Sequence, residues 1–165
     1  MLSDWPLTLP HRIDHIAQEN SDNTALMDGV GSSLTYKAMI DRAQAIAEAL
    51  LSAGAGPSCR ILVFQQASAD WVCSMLAIMR IGGIYVPLDL RNPISRLASL
   101  AKDCQPTAVL VDGSTSRDDV SQLNVSLTID ISRVPASPSA PVTNCAQPDS
   151  PVYQWLNRYP QGHHN

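Results

Sequence analysis

Apolar positions along the chain come in short blocks whose period switches between that of a helix and that of a strand. Between Arg12 and Glu19, Ile13, Ile16 and Ala17 recur at helical spacing, and the cluster Asn20-Ser21-Asp22-Asn23 ends the pattern, which predicts a first amphipathic helix. Thr24-Ala25-Leu26-Met27 and Ser33-Leu34-Thr35-Tyr36 flank Asp28-Gly29-Val30-Gly31, whose glycines can take positive φ, so a hairpin is expected. Thr35 stands before a second helix, in which Met39, Ala43, Ile46, Ala47, Leu50 and Leu51 form one stripe that stops at Gly54-Ala55-Gly56-Pro57.

From Arg60 onward strands and helices alternate. Arg60-Ile61-Leu62-Val63-Phe64 is a continuous apolar run that suits a strand buried on both faces. Ser68 or Asp70 can cap a helix from Trp71 to Ile81, which Gly82-Gly83 stops. Ile84-Tyr85-Val86-Pro87-Leu88 is the next strand, and Pro87 assigns its end to an edge or exit point. Pro93 suits the first turn of a helix running to about Lys102, followed by a third buried strand over Thr107-Ala108-Val109-Leu110-Val111. A polar stretch follows Asp112-Gly113, then a weaker strand signal over Ser126 to Ile131; Pro, Ser and Ala dominate from Pro135 to Pro151, which reads as a loop or linker. The pattern predicts an α/β fold: βαβ units with right-handed crossovers and a largely parallel sheet, preceded by a helix and a hairpin.

The 165 residues suit one domain, or one large piece of a larger domain. Apolar residues make up 45% and charged residues 16%, enough for a packed core. The net charge of -4 is spread without long blocks, which argues against nucleic acid and against an anionic membrane surface as partners. Met1 to Pro6 shows no basic segment leading into an apolar one, and no apolar run approaches the ~18 residues of a membrane span, so a cytoplasmic address is expected. Cys59, Cys73, Cys104 and Cys145 are scattered without a C-x-x-C spacing and read as reduced, mostly buried thiols.

The candidate chemistry is sparse. His11 and His15 share a helix face at metal-pair spacing but lack H-E-x-x-H and a third ligand; His163-His164 offer no more. Gly29-Val30-Gly31 lacks the third glycine of a dinucleotide loop and joins two strands, so it reads as a hairpin turn. Asn124-Val125-Ser126 matches a glycosylation sequon and is read as incidental. Asp89, Arg91 and Arg96 gather at a strand exit, where an ion-paired turn is the expected arrangement. No triad, acidic dyad or phosphate loop is visible, so no catalytic, cofactor-binding or metal-binding residue is assigned.

Two stretches resemble the opening motifs of the adenylate-forming superfamily, as found in adenylation domains of nonribosomal peptide synthetases. Leu34-Thr35-Tyr36-Lys37-Ala38-Met39 resembles the first core motif, and Met79-Arg80-Ile81-Gly82-Gly83-Ile84-Tyr85-Val86-Pro87-Leu88-Asp89 the second, which runs into "AYVPLD". Asn92-Pro93-Ile94-Ser95-Arg96-Leu97 matches the proline and arginine that follow it. The wording from Asp70 to Gly82, with Lys102-Asp103-Cys104-Gln105-Pro106, is most similar to fungal polyketide–peptide hybrid synthases.

Such domains continue from a stretch like Pro148-Asp149-Ser150-Pro151 into a phosphate loop resembling YTSGSTGTPKG, whereas this chain reads Tyr153-Gln154-Trp155-Leu156-Asn157-Arg158-Tyr159-Pro160-Gln161-Gly162. Back-translating from Val152 and dropping the first nucleotide leaves codons that can spell Y-T-S-G-S-T-G-T-P-K-G. Each shifted codon allows few residues, and the unique codon of Trp155 forces the first glycine, so the tail reads as that loop in the wrong frame.

The resemblance implies that residues 9–134 are the N-terminal part of an adenylation (AMP-binding) domain, 135–151 a Pro/Ser-rich loop or linker, and 152–165 an out-of-frame tail. It implies a parent reaction in which ATP, with Mg²⁺, activates an amino acid as its adenylate for transfer to a carrier-protein phosphopantetheine. The implied partners are the rest of the adenylation domain with condensation and carrier domains. For this chain it implies no bound cofactor and no activity. A noncatalytic interaction or regulatory module of the same fold is the competing expectation. A sheet broken off part-way would also leave uncovered apolar surface and an open edge, inviting self-association.

Overall fold

The computed structural model describes residues 8–29 and 31–154. Helix α1 (Leu9–Glu19) begins three residues before the predicted one, because the Thr8 hydroxyl caps it and Pro10 sits in the first turn, where a missing N–H costs nothing. Strands β1 (Thr24–Met27) and β2 (Ser33–Thr35) form the antiparallel hairpin, whose predicted turn includes Val30, outside the described residues. Helix α2 (Tyr36–Ser52) starts where the Thr35 Oγ1 accepts the Ala38 N–H at 3.1 Å.

The alternating part follows as β3 (Arg60–Phe64), α3 (Ala69–Arg80), β4 (Ile84–Pro87), α4 (Ile94–Cys104), β5 (Ala108–Val111), α5 (Arg117–Gln122) and β6 (Thr128–Asp130). Ser68, not Asp70, caps α3 by accepting the Trp71 N–H. The four strands form one parallel sheet in the order β4-β3-β5-β6, so Pro87 does lie on an edge strand. The polar stretch after Gly113, given no element by the apolar pattern, holds α5, capped by the Ser116 hydroxyl.

Alternate residues of each strand enter two separate cores. Ile61, Val63, Tyr85 and Leu110 pack with α2 and α3 on one face; Leu62, Val86, Val109 and Val111 pack with Leu97 and Ala101 of α4 and Leu123 on the other. This double burial explains the continuous apolar runs. It also corrects the expectation of bare apolar surface: this chain's own helices cover both faces. The exposed large apolar side chains among the described residues are Leu9, Met27, Leu51 and Tyr153, which do not cluster in sequence.

The Pro/Ser-rich stretch lies against the α2–α3 face, held mostly by polar anchors. Arg42 grips Asp70 through two nitrogens and donates to the carbonyls of Ile131, Val134 and Pro135. Further along, Glu48 accepts from the Ser139 N–H and hydroxyl, and Gln44 accepts the Val142 N–H. Buried Arg80 pairs with Asp14 of α1 and donates to the Val142 carbonyl, while Asn144 donates to the other Asp14 oxygen. Among the described residues no helix is long and apolar enough to cross a membrane.

Candidate functional site

Both motif-bearing stretches carry structural work that the local geometry makes plain. In the first, Leu34 pairs with Leu26 across the hairpin, Thr35 caps α2, and Lys37 reaches Asp41 one turn on at 2.6 Å. In the second, α3 ends at Arg80 and the chain turns through Gly82 at φ +73°. Gly83 then passes so close to α3 that a Cβ there would stand 3.1 Å from the Ile78 carbonyl oxygen and 3.3 Å from Ile61 Cδ1. Only glycine allows this approach without displacement. Beyond β4, Asp89 accepts from the Arg91 backbone N–H and guanidinium, which holds its carboxyl down at about 2. The ion-paired turn expected here is present, although no bond joins Arg96 to it.

The sheet's order makes a switch point. The chain leaves β3 for β4 on one side and returns across it to β5 on the other, so a crevice opens beyond the carboxyl ends of β3 and β5, where α/β sheets commonly bind ligands. Here it is about 240 Å³, walled by Phe64, Gln66, Asn92, Leu97, Ser114 and Asp119 among others. Its donors are turned inward: Asp112 Oδ2 accepts the Gln66 N–H at 3.0 Å, and Oδ1 accepts the Ser114 N–H and hydroxyl. A carboxylate of the chain itself thus takes up these two backbone N–H groups. The residues that line the crevice include one carboxylate, Asp119, and no lysine or arginine to meet phosphate oxygens, so they do not fit a triphosphate. No step through ATP follows from them.

The remaining candidates disperse. His11 Nδ1 lies 2.6 Å from the Thr8 hydroxyl and His15 beside Glu19, while His163 and His164 fall outside the described residues. No group of three or more His, Cys, Asp or Glu able to hold a metal occurs among the described residues. Of the cysteines, Cys73 and Cys104 are buried, Cys59 is partly so and Cys145 is exposed. Sequence reasoning missed Arg42 and Arg80, although Arg80 carried a signal as the one charge in the run from Trp71 to Leu88.

At the outer edge of β4 the Tyr85 N–H donates to the Val152 carbonyl at 2.9 Å, and the Gln154 N–H donates to the Tyr85 carbonyl at 3.0 Å. Residues 152–154 thereby begin a further parallel strand. The βαβ sheet is thereby extended beyond β4. The family model described as AMP-binding enzyme matches residues 13–161.

This chain belongs to the AMP-binding enzyme family. It is 61% identical over 146 residues to the hybrid PKS-NRPS synthetase thnA of Trichoderma harzianum, covering 87% of this chain and 4% of that protein. It is 55% identical over 151 residues to the hybrid PKS-NRPS synthetase traA of Penicillium crustosum, covering 90% of this chain and again 4% of the relative. The chain thus spans a small part of these relatives. Among solved structures, the nonribosomal peptide synthetase FmoA3 in its AMPPNP-bound form superposes with a TM-score of 0.75 at 24% identity, over 89% of this chain and 16% of that one. A fatty acyl CoA synthetase of Mycobacterium tuberculosis gives 0.76 at 15% identity, over 90% and 32%. These likenesses establish the α/β fold of adenylate-forming enzymes, and the fungal synthetases place the chain among adenylate-forming segments of the NRPS type.

Proposed function

We propose that residues 9–134 are the N-terminal scaffold of an adenylation domain from a fungal hybrid synthase, with 135–151 as its surface loop and 152–165 as a tail read out of frame. The parent activity would be ATP- and Mg²⁺-dependent activation of an amino acid as its adenylate, loaded onto the phosphopantetheine of a carrier domain in the cytoplasm. Condensation and carrier domains and the rest of the adenylation domain would be the parent's partners. Residues 1–165 alone perform no adenylation. The observation that supports this most directly is the switch-point crevice, where the Gln66 and Ser114 N–H groups are taken up by Asp112 and the lining holds no lysine or arginine. The frame assignment rests on the codon argument alone, since the family match runs on to residue 161.

The test is amino-acid-dependent exchange of pyrophosphate into ATP by the purified chain, where no exchange above a blank is expected. Exchange with any amino acid would overturn the reading. Genomic and complementary DNA across the codons for Ser150 to Asn165 test the tail independently. A second reading, a noncatalytic interaction module, is favoured by the coverage of both sheet faces, which lets the unit stand without further helices. In either reading self-association would use an open sheet edge such as β6, which is three residues long.

A further inference from the structure

We propose that the switch-point crevice beyond β3 and β5 binds a small primary amine that carries an apolar body and no carboxylate. The inference does not depend on the family reading. The apolar part of the lining is Phe64, Leu90, Ile94 and Leu97, of which Phe64 and Leu97 are buried. The volume, about 240 Å³, lies below the ~300–1,000 Å³ of sites that take drug-sized molecules, so the occupant is a small one. Apolar walls with a few polar groups among them, at the point where the strand order reverses, are the usual form of a small-molecule site in an open α/β sheet.

The polar part of the lining has spent most of its donors. The N–H groups of Gln66 and Ser114 and the Ser114 hydroxyl go to the Asp112 carboxylate, and the N–H and hydroxyl of Thr115 go to the Asp112 carbonyl at 3.2 and 2.8 Å. The Asn92 amide nitrogen donates to the Asp89 carbonyl at 3.1 Å, which leaves its Oδ1 as an acceptor. Asp119 stands in the first turn of α5, where its charge suits the helix end, yet among the described residues nothing donates to its carboxylate. The crevice is thus left rich in oxygen acceptors, with one negative charge and no basic side chain. An ammonium group, which has three donors and no acceptor, is the complement of that set. The start of α4 pulls the other way, because Pro93 provides no side-chain cap and the first-turn N–H groups suit an anion. A carboxylate there would share the crevice with Asp119 and meet no lysine or arginine, so an amine is preferred over an acid and over a zwitterionic amino acid.

The experiment titrates the full ¹⁵N-labelled chain with phenethylamine, 2-phenylethanol, phenylacetate and L-phenylalanine at constant ionic strength, following amide shifts. Phenethylamine should give saturable shifts at Gln66, Asn92, Thr115 and Asp119, and phenylacetate and L-phenylalanine should bind at least about tenfold more weakly. Asp119→Asn should weaken phenethylamine about tenfold and leave 2-phenylethanol unchanged, since it removes the charge and keeps the shape. Asp118→Asn takes the same charge from the neighbouring residue of α5, outside the crevice lining, and should leave phenethylamine binding as it was. The absence of saturable shifts, or shifts away from the crevice, overturns the site. Equal binding of phenylacetate or L-phenylalanine overturns the ligand class, and equal loss in Asp118→Asn and Asp119→Asn overturns the role given to Asp119. None of these results bears on the family reading, which pyrophosphate exchange and the DNA across the junction test separately.

Discussion

Replacing Asp14 with alanine tests how the Pro/Ser-rich stretch is held. Asp14 pairs with a buried guanidinium, and its second oxygen accepts from Asn144, so one carboxylate ties α1, the end of α3 and residues 142–145 together. Removing it leaves the Arg80 guanidinium in the core donating to the Val142 carbonyl, and Arg80 Nε is already without an acceptor. Breaking a buried pair from one side costs about 3–5 kcal/mol. The lower end applies here because the Asp14 side chain is 24% exposed, and water takes up part of the loss. With a Tm change of about 2–4 °C per kcal/mol for a chain of this size, the melt should fall by about 6–12 °C. Adding Arg80→Met to Asp14→Ala should recover most of it, since an apolar side chain of similar length needs no partner. Native-state hydrogen exchange should show the amides of Val142 and Cys145 opening first in the single variant. A single variant within 0.5 kcal/mol of the parent by urea unfolding, or a double variant less stable than the single one, would refute the reasoning.

Gly83→Ala should cost about 1–3 kcal/mol in denaturant unfolding, because its Cβ would meet α3 backbone at 3.1 Å, where neither side can give way. Thiol labelling of the folded chain should find Cys145 first and Cys73 last, since Cys145 is exposed and burial pushes the Cys73 thiol up to about 12. The raised value also sets a pH dependence: the folded chain holds the Cys73 proton more tightly than the unfolded one, so this contribution is complete below pH ~8.5 and is lost as pH rises towards 12. Unfolding free energy should decline across that range, and a Cys73→Ala variant should show a shallower decline.

The sheet was legible because its strands advertise themselves. A run such as Ile61-Leu62-Val63-Phe64 is apolar at every position only where both faces are covered, and a glycine pair followed by a proline strand marks a tight return to an edge. Helix α5 was not legible, because Arg117-Asp118-Asp119-Val120-Ser121-Gln122 has a single apolar position; a Ser116 cap and packing beside α4 form it. The anchoring of 131–146 escaped for a different reason. Composition reports what a segment lacks in local preference, whereas its partners Arg42, Gln44, Glu48 and Asp14 sit about ninety or more residues earlier, and no periodicity links them. The same holds at the switch point: Asp112 and Gln66 are unremarkable in sequence until the fold brings them within 3.0 Å. The motifs could be read as words, but the capping by Thr35 and the close approach at Gly83 appear only in three dimensions.

The strand order also has a consequence for synthesis on the ribosome. The central strand β3 is made first; β4 then pairs with it on one side and β5 on the other, β6 joins β5, and residues 152–154 join β4 last. Every arriving strand finds its neighbour already present. At roughly 5–20 residues per second the stretch from Arg60 to Asp130 is translated in about 4–14 s. During that interval each of β4, β5 and β6 meets a neighbour already made, while the outer edge of β4 stays open until residues 152–154 arrive. For a segment that makes up about 4% of its giant relatives, a sheet that grows outward in the order of translation limits the time an apolar strand spends unpaired beside other nascent chains.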